Sequence, residues 1–306
     1  PNPGRRGCWR VIGLSHDRAG RQQARFSMPH ATLVEANGAA IPAIGLGTFQ
    51  LTGAAATNAV VAALQAGYRH IDTADMYGNE EAVGDGLRGT AVQRDEIFVT
   101  TKVWHENLEG GRLLRSAEGS LKKLGLDQVD LLLIHWPSPA GRVEDWIRDL
   151  CAVKSRGLAR HIGVSNFTVA LLDRAVAAAT EPLVANQCEY HPYLDQSAVR
   201  AACARHGIAF TSYCPLGRAG VFDEPVLQKL AAAKGKTVSQ IVLRWHVQQP
   251  GTVAIPKSGT PKHIAENIDI FDFTLSDAEM AAITGLKRPG SRVVNPGFAP
   301  AWDEAA

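Results

Sequence analysis

The sequence predicts an α/β fold of the (β/α)8 TIM-barrel class, on three observations. Eight short apolar strand patterns alternate with amphipathic helix patterns along most of the 306 residues. No break in composition divides them, and a chain of this length suits one large barrel as well as two smaller domains. Several helix patterns end in glycine, at Gly67, Gly125, Gly157 and Gly207, as helix C-termini favour. A doubly wound open sheet would usually stop at about five to seven strands and open on a glycine-rich turn.

The elements follow in order. Residues 1–27 hold six arginines (Arg5, Arg6, Arg10, Arg18, Arg21 and Arg25) against one acid, Asp17. The whole chain has 32 basic and 30 acidic residues, so the body from Met28 onward carries 26 basic against 29 acidic. This basic stretch lacks the apolar core of a secretory signal, and glycine and proline interrupt any amphipathic helix in it. It is expected to be a disordered or non-native extension, followed by a single barrel domain over 28–306. A hairpin is predicted over 32–42, TLVEANGAAIP, turned at Asn37-Gly38.

Strands are expected at 43–47, 68–71, 96–101, 129–134, 160–164, 183–187, 208–213 and 252–255. Helices are expected at 57–67, 81–87, 113–125, 143–157, 169–179, 197–207 and 238–249. A C-terminal tail ending NPGFAPAWD is left to lie over the rim. The longest apolar runs, such as VDLLLI, fall far short of the ~20 residues of a membrane span, so no membrane partner is expected. Cys8, Cys151, Cys188, Cys203 and Cys214 form no CxxC pair, which argues against disulfides or a metal cluster and fits the cytoplasm. Nucleic-acid binding would rest on the arginine extension alone, since no basic stripe continues it into the body.

Catalytic groups of such barrels come from the C-terminal ends of the strands. Here a polar or ionisable residue stands at nearly every such end: Asp72, Lys102, His135, Ser165 with Asn166, Gln187, Tyr213, and Lys257 with Ser258. One alone would read as a turn former or cap. Their recurrence points to a single functional rim. Asp72, Tyr77, Lys102 and His135 make chemical sense together, because a buried lysine needs a counter-ion and a lysine beside a phenol favours phenolate. Tyr77 is then a general-acid candidate whose pKa Lys102 would lower. A neutral His135 could hold a carbonyl oxygen beside it. Chemistry alone leaves open a plain barrel salt bridge with a loop tyrosine.

GYRHIDTADMYGNE (67–80), TTKVW (100–104), LLLIHWP (131–137), IGVSNF (162–167) and IPKSGTPKHIAENI (255–268) closely resemble the aldo-keto reductases. The resemblance runs from about Thr32 to Asp303. It is nearest to the short-loop bacterial members of the 2,5-diketo-D-gluconate reductase and methylglyoxal reductase type. It implies NAD(P)H-dependent reduction of aldehydes, dicarbonyls and keto sugars, with Asp72, Tyr77, Lys102 and His135 as the catalytic tetrad and Tyr77 as the acid. It further implies NADPH held by Thr48, Asp72, Ser165, Asn166 and Gln187 around the nicotinamide, Tyr213 stacked under it, and Leu216 and Gly217 over the pyrophosphate. Lys257, Ser258, Thr260 and His263 would face the 2′-phosphate, and Glu266 and Asn267 the adenine. The carbonyl pocket would be lined by Phe49, Trp104, His135, Trp136 and Trp302.

One departure matters for the cofactor. His263 stands where many members carry arginine, and imidazole lacks that residue's permanent charge and forked donors. The implied NADPH preference is therefore reduced and pH-sensitive, with NADH also accepted. The expected partner is a small-molecule carbonyl substrate, and the chain is expected to work as a monomer without a metal. Two other readings stay open: a catalytically idle, NADP-sensing barrel subunit of a larger assembly, and a metal-dependent hydrolase for which His70 with Asp72 is a partial ligand set.

Overall fold

A computed structural model describes residues 32–303, so the expected basic extension over 1–27, with Cys8, lies outside the described residues. Strands β1 (Leu33–Ala36) and β2 (Ala39–Pro42) pair antiparallel with Ala36 opposite Ala39. The two-residue turn between them has positive φ at Asn37 (44°) and Gly38 (87°), the pairing that matches hairpin twist. Asn37 Nδ2 donates to Leu183 O (2.8 Å) and His206 O (2.9 Å), which fastens the hairpin across the N-terminal ends of the barrel strands.

The barrel strands are β3 (Leu46–Gly47), β4 (His70–Asp72), β5 (Phe98–Val103), β6 (Val129–Ile134), β7 (Ala159–Ser165), β8 (Leu183–Glu189), β9 (Ala209–Tyr213) and β10 (Thr252–Ala254), each parallel to the next. The ring closes where Gly45 N donates to Ala254 O (2.9 Å), Ala254 N to Ala43 O (2.9 Å) and Gly47 N to Pro256 O (3.0 Å). All eight expected strands are present, with altered bounds. β3 keeps two of the five residues expected, because 43–45 contribute only through this seam. β5 and β8 run further than expected, so Lys102 lies within β5 and Gln187, expected as the last residue of its strand, is followed by two more.

Helices α1 (Gly53–Gln65), α2 (Glu80–Arg88), α3 (Arg112–Leu124), α4 (Val143–Ser155), α5 (Val169–Ala178), α6 (Ser197–Arg205), α8 (Val238–Gln248) and α9 (Pro261–Ile268) follow successive strands, with α7 (Pro225–Lys234) inserted before α8 and α10 (Asp277–Thr284) after α9. Gly67, Gly125, Gly157 and Gly207 all take positive φ after helices, as expected. The strict alternation is corrected by α7 and α10, and α9 lies within the 255–268 motif, outside the expected helices. These three are short and bury little: Leu227 and Ala231 of α7, Ile264 and Asn267 of α9, Ile283 of α10. Weak apolar periodicity hid α7 and α10, and α9 has a clear apolar face over only 8 residues, although Pro225 and Pro261 in first turns and the Ser276/Glu279 capping box marked their starts.

The core has two parts. One lies between strands and helices and includes Trp146, Phe167 and Trp245. The other fills the barrel, where Phe98, Leu131, Leu133, Val184 and Val253 meet Ile41 of the hairpin. The plugged interior leaves the opposite, C-terminal rim as the working face. His70 and His246 are fully buried, and burial lowers their pKa from 6.5 to about 4 and about 3. The unfolded chain therefore binds protons that the fold refuses once pH drops below 6.5. The melting temperature is expected to fall steadily between about pH 6.5 and 4.5. A flat melting profile over that interval would contradict it.

Candidate active site

The rim is assembled by the loops after β3, β4, β6, β7, β9 and β10 and by the strand ends themselves. Asn79 ties two of these loops together, accepting from Thr73 Oγ1 (2.8 Å) and donating to Thr48 O (2.9 Å) and Leu51 O (2.8 Å). This fixes the short 3-10 segment Asp75–Tyr77, closed by Gly78 at φ 64°. Tyr77 is thereby held against Lys102, which stands buried on β5. Lys102 Nζ donates to Asp72 Oδ1 (2.6 Å), Thr73 O (2.8 Å) and Tyr77 Oη (3.3 Å). His135 lies beside them, its ring centroid 5.6 Å from that of Tyr77 and 5.2 Å from that of Trp104. The four residues expected to act together are therefore brought together.

Their protonation states follow from burial and charge. Burial is the largest influence on Lys102 and would release its proton, but the carboxylate charge of Asp72, with the hydrogen bonds to Asp72 and Tyr77, outweighs it and holds the ammonium. Burial, then Lys102 and His105, drive His135 well below its usual value, so its imidazole is neutral as expected. One expectation is corrected. Tyr77 titrates above the usual phenol value of 10.0, because desolvation outweighs the opposing pull of Lys102. The hydroxyl keeps its proton at neutral pH.

Asp72 has a second partner: Gln187 Nε2 donates to its Oδ2 (2.7 Å), which leaves the Gln187 amide oxygen as an acceptor. Asn166 Nδ2 donates to His135 O (3.0 Å) and Ser165 Oγ (3.1 Å), and its Oδ1 accepts from Tyr213 (2.8 Å). Thr48 Oγ1 donates to Asp72 O (3.0 Å). Five non-glycine residues of this rim take left-handed backbone: Gln50 (φ 63°), Asn166 (62°), Cys214 (48°), Arg218 (51°) and Ala219 (73°).

Two cavities open here. A chamber of about 170 Å³ has Asp72, Tyr77, His135, Trp136, Asn166 and Gln187 on its walls. A longer groove of about 670 Å³ runs past Leu216, Lys257, Ser258, His263, Glu266 and Asn267. Phe49, Cys214, Arg218 and Lys257 line both, so they form the neck between them. Three expected cofactor residues are off these walls. Ser165 is buried behind Asn166, Gly217 lies against the His191 ring, and Thr260 immediately precedes α9. Trp104 and Trp302 are also off the chamber wall but join its aromatic surround, Trp302 packing edge-on 5.9 Å from Trp136.

Residues absent from the expected set complete the rim. Arg218 sits one position beyond the expected Leu216-Gly217 pair. Phe298 packs edge-on to Trp104 and Trp136 (5.6 Å each) and tilts over His105 (4.2 Å). It lies in the quoted ending NPGFAPAWD, but the route of a tail carries no periodicity to read. His70, weighed as a partial metal ligand, instead hydrogen-bonds Thr100 Oγ1 (3.1 Å) inside the barrel.

Residues 43–288 match the sequence profile of the Aldo/keto reductase family. The chain is 45% identical over 254 residues to methylglyoxal reductase DkgA of Yersinia pestis, covering 82% of this chain and 90% of that protein. A crystal structure provisionally assigned as a 2,5-diketo-D-gluconic acid reductase B superposes with TM-score 0.87 at 41% identity, over 90% of this chain and 99% of that one. The Bombyx mori aldo-keto reductase, solved with NADP, superposes with TM-score 0.79 at 37% identity, over 85% and 94%. With this sequence match, the barrel and the carbonyl-reducing activity common to these proteins, the chain belongs to the aldo/keto reductase family and is an NAD(P)H-using oxidoreductase.

Proposed function

We propose that the chamber reduces small aldehydes, dicarbonyls and keto sugars, of the methylglyoxal and diketogluconate kinds for which relatives are named, with NADPH held in the groove. The observation that carries this is the protonated Tyr77 hydroxyl 3.3 Å from the buried Lys102 ammonium, beside a neutral imidazole on one chamber wall. A group that must give up a proton and survive as an anion needs this arrangement. The chamber volume suits a small carbonyl compound, and its aromatic surround offers few fixed charges.

The groove fits a dinucleotide. Arg218 and Lys257 place two cations at the neck, where a diphosphate would pass, and Lys257 with Ser258 offers charge and a hydroxyl to a further phosphate. Gln187 and Asn166 reach the chamber with amide groups suited to a carboxamide, and Tyr213 offers a ring face. When bound there, a reduced nicotinamide supplies hydride. His135 would orient the carbonyl oxygen toward Tyr77, Tyr77 would pass its proton to that oxygen, and Lys102 would stabilise the phenolate left behind. Asp72 holds Lys102 charged and in place. All these residues come from one chain, which supports a monomer as the working unit. The unpaired Cys151, Cys188, Cys203 and Cys214 suit a reducing cytoplasm.

His263 is exposed on the groove wall and takes the position of the guanidinium described above, so discrimination for the 2′-phosphate rests mainly on Lys257. His263→Arg is expected to raise the NADPH/NADH ratio of kcat/KM about tenfold. A ratio within twofold of the unaltered enzyme would refute that weighting. The broader reading is tested by following NADPH absorbance with methylglyoxal, diketogluconate, simple and aromatic aldehydes and keto esters. Cofactor binding with no turnover on any of them would defeat it.

A further inference from the structure

We propose that Glu189 and His191 are a positioning pair that couples the loop over the cofactor groove to the tail that walls the carbonyl chamber. Neither residue touches the tetrad. Glu189 closes β8, and its carboxylate is completely buried. Its Oε1 accepts from His191 Nε2 (3.1 Å) and from Val293 N (2.7 Å), and its Oε2 accepts from Val294 N (2.8 Å). The strand end is pinned in turn by Gln196 Nε2, which donates to Glu189 O (2.7 Å).

The two partners of the carboxylate lead to different parts of the site. Val294 lines the chamber itself. From there the tail carries Phe298 and Trp302 onto the Trp104 and Trp136 rings, and its far end is tied where Asp303 Oδ2 accepts from Val169 N (2.7 Å). His191 leads the other way. Its buried ring lies under Gly217, close enough that a Cβ there would stand 3.4 Å from the imidazole. Gly217 joins Leu216 to Arg218, and both of those line the groove. The same loop rests on His246, whose Nε2 hydrogen-bonds Pro215 O (3.1 Å).

A buried carboxylate with three donors has a narrow choice of positions, since displacement leaves a charge without its hydrogen bonds. A ligand that settles Leu216 and Arg218 therefore also settles His191, Glu189 and the Val293-Val294 backbone. By linkage, occupancy of the groove tightens binding in the chamber, and the reverse holds equally. The proposal rests on reading the groove as the dinucleotide site.

The test uses the full chain, NADPH and methylglyoxal. In the unaltered enzyme, NADPH is expected to slow amide hydrogen exchange at Val293 and Val294. Glu189→Gln retains one acceptor oxygen but turns an amide NH2 toward a backbone donor. It is expected to abolish that slowing and raise the KM for methylglyoxal about tenfold, with kcat within threefold of normal, the size of one lost charge-assisted hydrogen bond. His191→Phe keeps a ring under Gly217 without the Nε2 donor and should act in the same direction, which keeps the test sound if Glu189→Gln folds poorly. Unchanged exchange at the two amides on adding NADPH to the unaltered enzyme would overturn the coupling. So would variants that lose kcat with KM unchanged, or that keep both constants within twofold. Failure of the unaltered chain to bind NADPH would overturn the reading of the groove, and the coupling with it.

Discussion

Tyr77→Phe is expected to lower kcat for carbonyl reduction by about 10²–10⁴-fold while the protein folds and binds NADPH as before. Only the hydroxyl is removed. The ring keeps its contacts with Phe49 (5.0 Å) and His135 (5.6 Å), and Lys102 gives up the longest of its three hydrogen bonds. Because desolvation holds the Tyr77 proton above the usual phenol value, the unaltered enzyme should keep a flat kcat for reduction through neutral pH. That rate should decline only above pH 10, as the hydroxyl ionises, and the reverse oxidation should rise over the same range. A steady-state pH series with and without the substitution measures both. A variant with more than a tenth of normal kcat, or a decline near neutrality, would remove Tyr77 from the role of acid.

Lys102→Met is expected to abolish measurable turnover and also to destabilise the fold by about 3–5 kcal/mol, since it leaves the Asp72 carboxylate buried without its cation. The two effects separate in the double variant Asp72→Asn/Lys102→Met, which removes the orphaned charge. Stability should return most of the way, measured by urea unfolding, because replacing both members of a buried pair costs far less than removing one. Activity should not return, because nothing then stabilises the Tyr77 phenolate. Recovery of turnover along with stability would reduce Lys102 to a structural residue.

Much of the fold could be read because most barrel strands are buried on both faces, and the clearest of them, VDLLLI, is a compact apolar run. The tetrad stood out for the same reason, as ionisable residues interrupting or ending such runs. What escaped reading depends on three-dimensional surroundings. Short helices such as α10, which buries Ile283 alone, leave little pattern to detect. Phe298 and Val294 reach the site only through the path of a tail, and Arg218 through a loop bent by positive φ. The lowering pull of Lys102 on Tyr77 is visible in sequence, but the larger desolvation around the hydroxyl, which reverses the net direction, is not.

The left-handed residues of the rim bear on how this enzyme could be improved. Of six non-glycine residues with positive φ among those described, only Asn37 lies away from the active face. Each such residue costs about 1–2 kcal/mol in backbone energy, so the energetic slack of the molecule is concentrated where it works. Selection for heat tolerance would find its readiest gains at Gln50, Cys214 or Ala219, by glycine or asparagine, and each gain would loosen the groove or the neck it shares with the chamber. Durability and turnover compete here for the same few backbone angles, whereas the hairpin-plugged end can be reinforced without that conflict.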